Sequence, residues 1–322
     1  MRCCFAALAA GCLLFAAPAS AETVLKVGYT LPAESAMGEA SRVFAAELNK
    51  ALPGKYRVDD QPASKLGGDV EVLKAVKLGT VEMTVVGGGG GISLAVPEIA
   101  VTDLPFLFRD SQHAATVLDG PIGSEILESC KKYGLVCLAW GEQGMRQLTN
   151  SRRPVTTLAD VKGLKVRVPQ SKVYVSTFEA LGADVQPMPW PDVYPALQSG
   201  RIDAQENPAP TIIAGKVHEV QKYLTLSNHI FSSIVLVVSA DVWAEVPEAD
   251  KPAFLAAAKT AGAATRTYVR KRDQESIDLL RTKGIEVATI ADREPFIKAV
   301  EPVYAGLDPA VAALAKRIRD AK

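Results

Sequence analysis

Early in the chain the apolar positions switch between two spacings. Residues 24–30 predict a strand, whereas Ala36, Ala40, Val43, Phe44 and Leu48 fall three or four apart and predict an amphipathic helix over 35–52. A Pro53-Gly54 turn leads to a second strand at 56–60, then to a helix at 69–78 that Gly79 stops, and a third short strand occupies 81–86. Strands alternating with helices call for a mainly parallel sheet flanked by helices.

The alternation restarts further along. A strand at 136–141 closes the first block and one at 163–168 opens a second. There a helix at 171–181 stops at Gly182, residues 185–189 are extended, a helix at 192–198 stops before Gly200, and 202–204 resembles another strand. After a buried strand at 234–239, the chain from residue 248 is nearly all helical, interrupted by a short strand at 286–288, with 294–318 as a closing helical stretch. A helical run after two α/β blocks implies that the chain crosses back between them. The length, 322 residues, exceeds the ~100–200 residues of one domain and supports two.

The amino terminus fits neither spacing. Arg2 precedes an apolar run over 3–17, a break at Pro18 and the small triplet Ala19-Ser20-Ala21, which reads as a secretory signal peptide over 1–21. Leu8-Ala9-Ala10-Gly11-Cys12 also resembles a lipoprotein box, in which Cys12 would be acylated. No later segment approaches the ~18 uninterrupted apolar residues of a membrane helix. Without residues 1–21 the chain has 35 basic and 36 acidic residues, which argues against nucleic acid or an anionic membrane as partner. Cys130 and Cys137 remain; in an oxidising compartment they either pair or stay as buried thiols, and spacing does not choose.

Familiar catalytic and metal-binding patterns do not stand out. His113, His218 and His229 lack zinc-helix spacing, and no Cys-x-x-Cys or Gly-x-Ser-x-Gly occurs. The glycine run at 87–91 lacks the Gly-Lys-Ser/Thr of a phosphate loop and reads as a tight turn at a cleft edge, while Leu104-Pro105-Phe106-Leu107-Phe108 reads as an apolar insert in the core. Polar groups collect instead at expected strand ends of the second block: Arg146, Arg167 and Asn207. Ligands of open α/β sheets gather at carboxyl ends of strands, and the arginine fork suits a carboxylate. A solvated surface arginine is the alternative for each.

Over nearly the whole mature chain the wording resembles the solute-binding proteins of tripartite ATP-independent periplasmic (TRAP) transporters, of the DctP type. Leu104 to Phe108, Gly144-Met145-Arg146, Gly163-Leu164-Lys165-Val166-Arg167-Val168-Pro169, Pro187-Met188-Pro189-Trp190 and Asp203-Ala204-Gln205-Glu206-Asn207-Pro208 carry the resemblance. It implies an α/β, two-domain periplasmic binding protein (type II-like) with a ligand cleft between domains, hinge strands and long C-terminal helices. The expected division is 22–143 plus 232–271 for domain I and 144–231 plus 272–322 for domain II, with the hinge near Glu142-Gln143 and Ser232-Ser233. Arg167 would be the central carboxylate-binding arginine, Asn207 its positioning partner, Arg146 a second cleft arginine, and Trp190 an aromatic wall or a core residue.

The resemblance further implies a small organic acid anion as ligand and integral-membrane permease subunits as partners. It implies no enzyme activity, cofactor, metal or nucleic acid, and a monomer, with a dimer left open. Where sialic-acid-binding members have an acidic residue, this chain has the glycine run. That favours a less decorated acid: a dicarboxylate, a 2-oxo or 2-hydroxy acid, or an aromatic carboxylate. The competing readings are a periplasmic sensor docking on a receptor and a periplasmic enzyme acting on a carboxylate.

Overall fold

In the computed structural model, which describes residues 22–321, two sheets organise the chain. The expected signal peptide and Cys12 lie outside the described residues. Strand β1 (Thr23–Gly28) leads through helix α1 (Ala36–Ala51) to β2 (Tyr56–Gln61), and α2 (Asp69–Lys77) leads to β3 (Met83–Gly87). Short α3 (Ile92–Ala95), α4 (Ser111–Leu118) and α5 (Pro121–Ser129) precede β4 (Leu135–Met145) and β5 (Gln147–Asn150). The second block comprises β6 (Lys165–Val168), α6 (Lys172–Ala180), β7 (Asp184–Pro187), α7 (Val193–Gln198), β8 (Ala204–Asn207), α8 (Ala209–Ala214) and β9 (Tyr223–Leu226). Then come β10 (Phe231–Ser239), α9 (Ala240–Glu245), α10 (Lys251–Thr282), β11 (Glu286–Thr289), α11 (Glu294–Ala299), α12 (Glu301–Ala305) and α13 (Pro309–Asp320).

The five-stranded sheet has the order β2-β1-β3-β10-β4 and the six-stranded sheet β11-β9-β5-β8-β6-β7. Both are mixed, which corrects the expectation of mainly parallel sheets: β10 runs antiparallel to β3 and β4, and β5 antiparallel to β8 and β9. β5 and β9 escape sequence reading because an apolar alternation is missing: Gln147, Thr149, Asn150 and Thr225 are buried and polar. Successive residues of β10 serve opposite layers. Ile234, Leu236 and Val238 pack with Phe44 of α1 and Phe254 of α10. Val235 and Val237 belong to a layer that continues through Phe108 and Phe231 to Val166 and Phe178 beneath the second sheet.

Three stretches cross between the sheets. Arg146 alone separates β4 from β5, residues 227–230 connect β9 to β10, and the Arg146 amide donates to the Ile230 carbonyl at 2.9 Å. The β4–β10 register slips between Ser232 and Ser233, skipping Gln143, where the sequence reading puts a hinge. Helix α10, about 48 Å long at 1.5 Å per residue, makes the third crossing. Gly262 lets it approach β4, since a Cβ there would stand 2.0 Å from the Trp140 carbonyl oxygen, and its far end buries Ile277 and Leu280 beside Leu224 of the second sheet.

The expected helix over 294–318 is three helices, because Pro295, Pro302 and Pro309 each begin a new one where a missing N–H costs nothing. The last of them, α13, packs against Pro97–Asp103, and Arg317 pairs with Glu125 at 2.7 Å. The end of the chain thus packs on helices of the first block. Cys130 and Cys137 form a disulfide with Cα atoms 5.9 Å apart, closing the choice left open by sequence. No helix among the described residues is long and apolar enough to cross a membrane.

Candidate functional site

Between the sheets lies a narrow, polar-lined cavity of about 40 Å³. Arg146, Arg167, Asn207 and Trp190 all line it, together with Gly87 and Gly89 of the glycine run. The two arginines differ sharply in their surroundings.

Arg146 sits at the junction of β4 and β5, 4% exposed. Its guanidinium is held on several sides: Nε and Nη2 engage the Glu206 carboxylate, Nη2 at 2.8 Å, Nη2 also donates to the Glu206 carbonyl at 2.6 Å, and Nη1 donates to Ser232 Oγ at 3.1 Å. Its flat face covers the Tyr174 ring at 5.1 Å. Burial alone would push Glu206 up, but Arg146 and a hydrogen bond with His229 Nε2 at 3.1 Å hold it below the usual carboxylate range. Burial keeps His229 below its ordinary pKa. Arg146 is therefore neutralised within the protein.

Arg167 stands on β6, 3% exposed. Nε and Nη2 both donate to the Met188 carbonyl, at 3.0 and 2.7 Å, and the Trp190 ring lies 5.8 Å from Cζ. Loss of hydration, reinforced by the positive charge of Arg146, pushes its pKa down to about 10, so it stays cationic at neutral pH. Among the described residues no carboxylate forms an ion pair with it. A buried cation held by a carbonyl on one edge attracts an anion on the other.

Asn207 ends β8, and its Nδ2 donates to Gln205 Oε1 at 2.7 Å. Gln205 donates to Thr149 Oγ1 at 2.9 Å, and Thr149 to Gln221 Oε1 at 2.8 Å, so a buried amide chain orients Asn207 from behind. Trp190 follows β7 in a Pro-flanked turn and is half-buried. It lines the cavity and also packs on Gly215, where a Cβ would be 2.5 Å from Cζ2, so wall and core are both parts of its role in the fold.

Sequence reasoning missed the opposite wall. Thr30, just past β1, and Asp69, at the start of α2, reach the cavity, and Thr30 Oγ1 donates to Asp69 Oδ1 at 3.0 Å. Asp69 keeps some exposure as a residue, but its carboxyl faces inward. Desolvation pushes its pKa up to about 7 against the Thr30 bond and the attraction of Arg167. Gln143 and Ser232 add polar groups from the register slip, with Ser232 Oγ donating to Gln143 Oε1 at 3.0 Å. The glycine run leaves its own stretch of wall bare of side chains, while Thr30, Asp69, Gln143 and Ser232 set polar groups around the rest of the cavity. The strand-end rule, applied to the first block as well as the second, finds Thr30; nothing in the local pattern marks Gln143 or Ser232.

The sequence pattern of DctP, bacterial extracellular solute-binding protein family 7, matches residues 27–308. A solute-binding protein of Verminephrobacter eiseniae is 38% identical over 90% of this chain and 86% of its own length. A TRAP periplasmic solute-binding protein of Polaromonas sp. JS666 bound to D-erythronate is 40% identical, with a TM-score of 0.91, over 94% of this chain and 99% of that one. One from Bordetella bronchispeptica, its ligand density interpreted as pantoate, is also 40% identical, with a TM-score of 0.89, over 94% of this chain and 100% of that one.

Proposed function

The chain belongs to DctP, family 7 of the bacterial extracellular solute-binding proteins, which bind small organic acids, and from that premise we propose that it captures a short hydroxylated monocarboxylate whose carboxylate pairs with Arg167. Asn207 positions that pair, Trp190 forms a flat wall, and Arg146 shapes the site without contributing a free charge. Asp69 and Thr30 receive the hydroxylated end. The observation that carries this reading is the polarity of the cavity: a buried cation without an ion-pair partner among the described residues, opposed by an acidic group.

Such a cavity suits a ligand with one anionic end and one hydrogen-bond-donating end, and disfavours a second carboxylate beside Asp69. Pantoate and D-erythronate, the acids of the two similar structures, share a 2,4-dihydroxybutanoate backbone that meets this description. Two lobes close around the acid: the five-stranded sheet with α1, the first part of α10 and α13, and the six-stranded sheet with α6 to α8. They close about the β4–β10 register slip, and the closed form delivers its cargo in the periplasm to integral-membrane permease subunits without turning it over.

A thermal-shift series with D-erythronate, pantoate and succinate tests the assignment. An acid at 100 times its dissociation constant adds about 2.7 kcal/mol to native stability. The two hydroxy acids should shift melting at lower concentration than succinate. Equal shifts by all, or a shift by succinate alone, would remove Asp69 from the proposed role.

A further inference from the structure

Tyr174, in the first turn of α6, is fully buried, and the Arg146 guanidinium lies over its ring. From the five-stranded side, Gly89 comes down on the same ring: a Cβ at residue 89 would stand 2.2 Å from Cε2, 2.6 Å from Cζ and 2.9 Å from Oη. Real Cβ atoms do not approach so closely, and neither partner has room to yield. Tyr174 is packed in one core layer with Val166, Val168 and Phe178. The turn is equally fixed. A Cβ on Gly88 would meet Ser233 Oγ at 2.6 Å and Asp103 Oδ1 at 2.8 Å, and Gly91 has φ of +152°, which side-chain-bearing residues rarely adopt. The Tyr174 hydroxyl has Ser232 as a polar neighbour but no well-aligned hydrogen bond among the described residues, so the ring contributes mainly shape to this contact.

We propose that Gly89 and Tyr174 form the bearing on which the two lobes close, so that the missing side chain at residue 89 sets the closed population and through it the affinity. The inference rests on the two-lobed reading of the fold but not on the identity of the ligand. Apparent affinity scales with the fraction of molecules able to reach the binding-competent state. A methyl group inserted at this contact holds the lobes apart without touching Arg167 or Asp69.

Gly89→Ala should weaken D-erythronate binding roughly 10- to 100-fold, mainly by faster dissociation. Gly89→Ala combined with Tyr174→Leu should recover most of the loss, and Tyr174→Phe should bind like the parent. Tyr174→Trp, which enlarges the other partner, should repeat the Gly89→Ala effect and supplies the test should Gly89→Ala not fold. A ligand-free measurement reads closure directly. Cysteines replacing Leu94 and Lys172, which line one groove from the two sides, can be joined by a short bismaleimide, and the joining rate should fall about tenfold with Gly89→Ala, in step with the closed fraction. Parent-like binding and joining in Gly89→Ala, or a Tyr174→Phe variant as weak as Gly89→Ala, would overturn the bearing. If the parent ignores D-erythronate while joining still depends on residue 89, the ligand assignment fails and the bearing stands.

Discussion

Arg146 and Arg167 face one cavity and are equally buried, at 4% and 3% exposure, yet their corners of the site are built in opposite ways. Around Arg146 the chain supplies its own counter-ion, Glu206, and encloses the pair with Ser232, His229 and the Tyr174 ring. Around Arg167 it places a carbonyl and an aromatic face in contact, while Glu206 and Asp69 attract it without forming an ion pair among the described residues. The difference teaches that a cleft arginine is not in itself an anion site. In the proposed reading, the recognition charge is the one to which the protein gives no ion-pair partner of its own.

Substituting each arginine separates the two circumstances. Arg146→Ala leaves Glu206 buried and uncompensated and should cost about 3–5 kcal/mol of folding stability, read as a lower denaturant midpoint of the ligand-free protein. Arg167→Ala removes a charge whose partner, on the proposed function, would arrive with the ligand. It should leave the ligand-free midpoint nearly unchanged and weaken D-erythronate binding by about 2–5 kcal/mol in titration calorimetry. Arg167→Lys should fall in between, because an ammonium keeps the charge but cannot offer two parallel donors. The comparison breaks if Arg146→Ala folds as stably as the parent, or if the larger affinity loss comes from Arg146.

Both arginines were legible in the chain as candidates, whereas what separates them was not, and the reason is physical. Strand ends are written in the hydrophobic pattern, so Arg167 and Asn207 could be singled out by position. The neutralisation of Arg146 could not, because Glu206 comes from β8 and His229 from the crossing before β10, both far away in sequence. Similarly, β5 and β9 are strands whose buried faces are polar, and their stability comes from cross-strand partners that a local pattern does not contain. The three prolines that divide the closing helical stretch were visible, but apolar periodicity runs through them. Asp69 was hidden for a different reason: Gly67-Gly68-Asp69 looks like an ordinary helix start, and only the facing sheet turns it into a cavity wall.

The smallest expected effect is the sharpest test of the polarity assigned to the cavity. With a pKa near 7 in the ligand-free protein, raised by burial, Asp69 is mostly protonated at pH 6 and mostly ionised at pH 8. A ligand hydroxyl donating to its carboxylate binds the ionised form better, so D-erythronate affinity should rise about tenfold over that interval, the change that one pKa unit on either side of the midpoint permits. Folding stability should move the other way. A carboxyl whose native pKa is raised binds more protons in the folded than in the unfolded state between about pH 4 and 7, so its contribution declines as pH rises through that window. A dicarboxylate inverts the sign at the site, because its second anionic group is repelled by ionised Asp69 and tolerated by the neutral acid. Succinate affinity should therefore climb as pH falls from 8 to 6 while that of D-erythronate drops, and Asp69→Asn should flatten both curves. Parallel curves for the two acids in the parent protein would mean that Asp69 does not face the ligand's far end, and the contrast between a withheld counter-ion at Arg167 and an acidic wall opposite would have to be redrawn around another group.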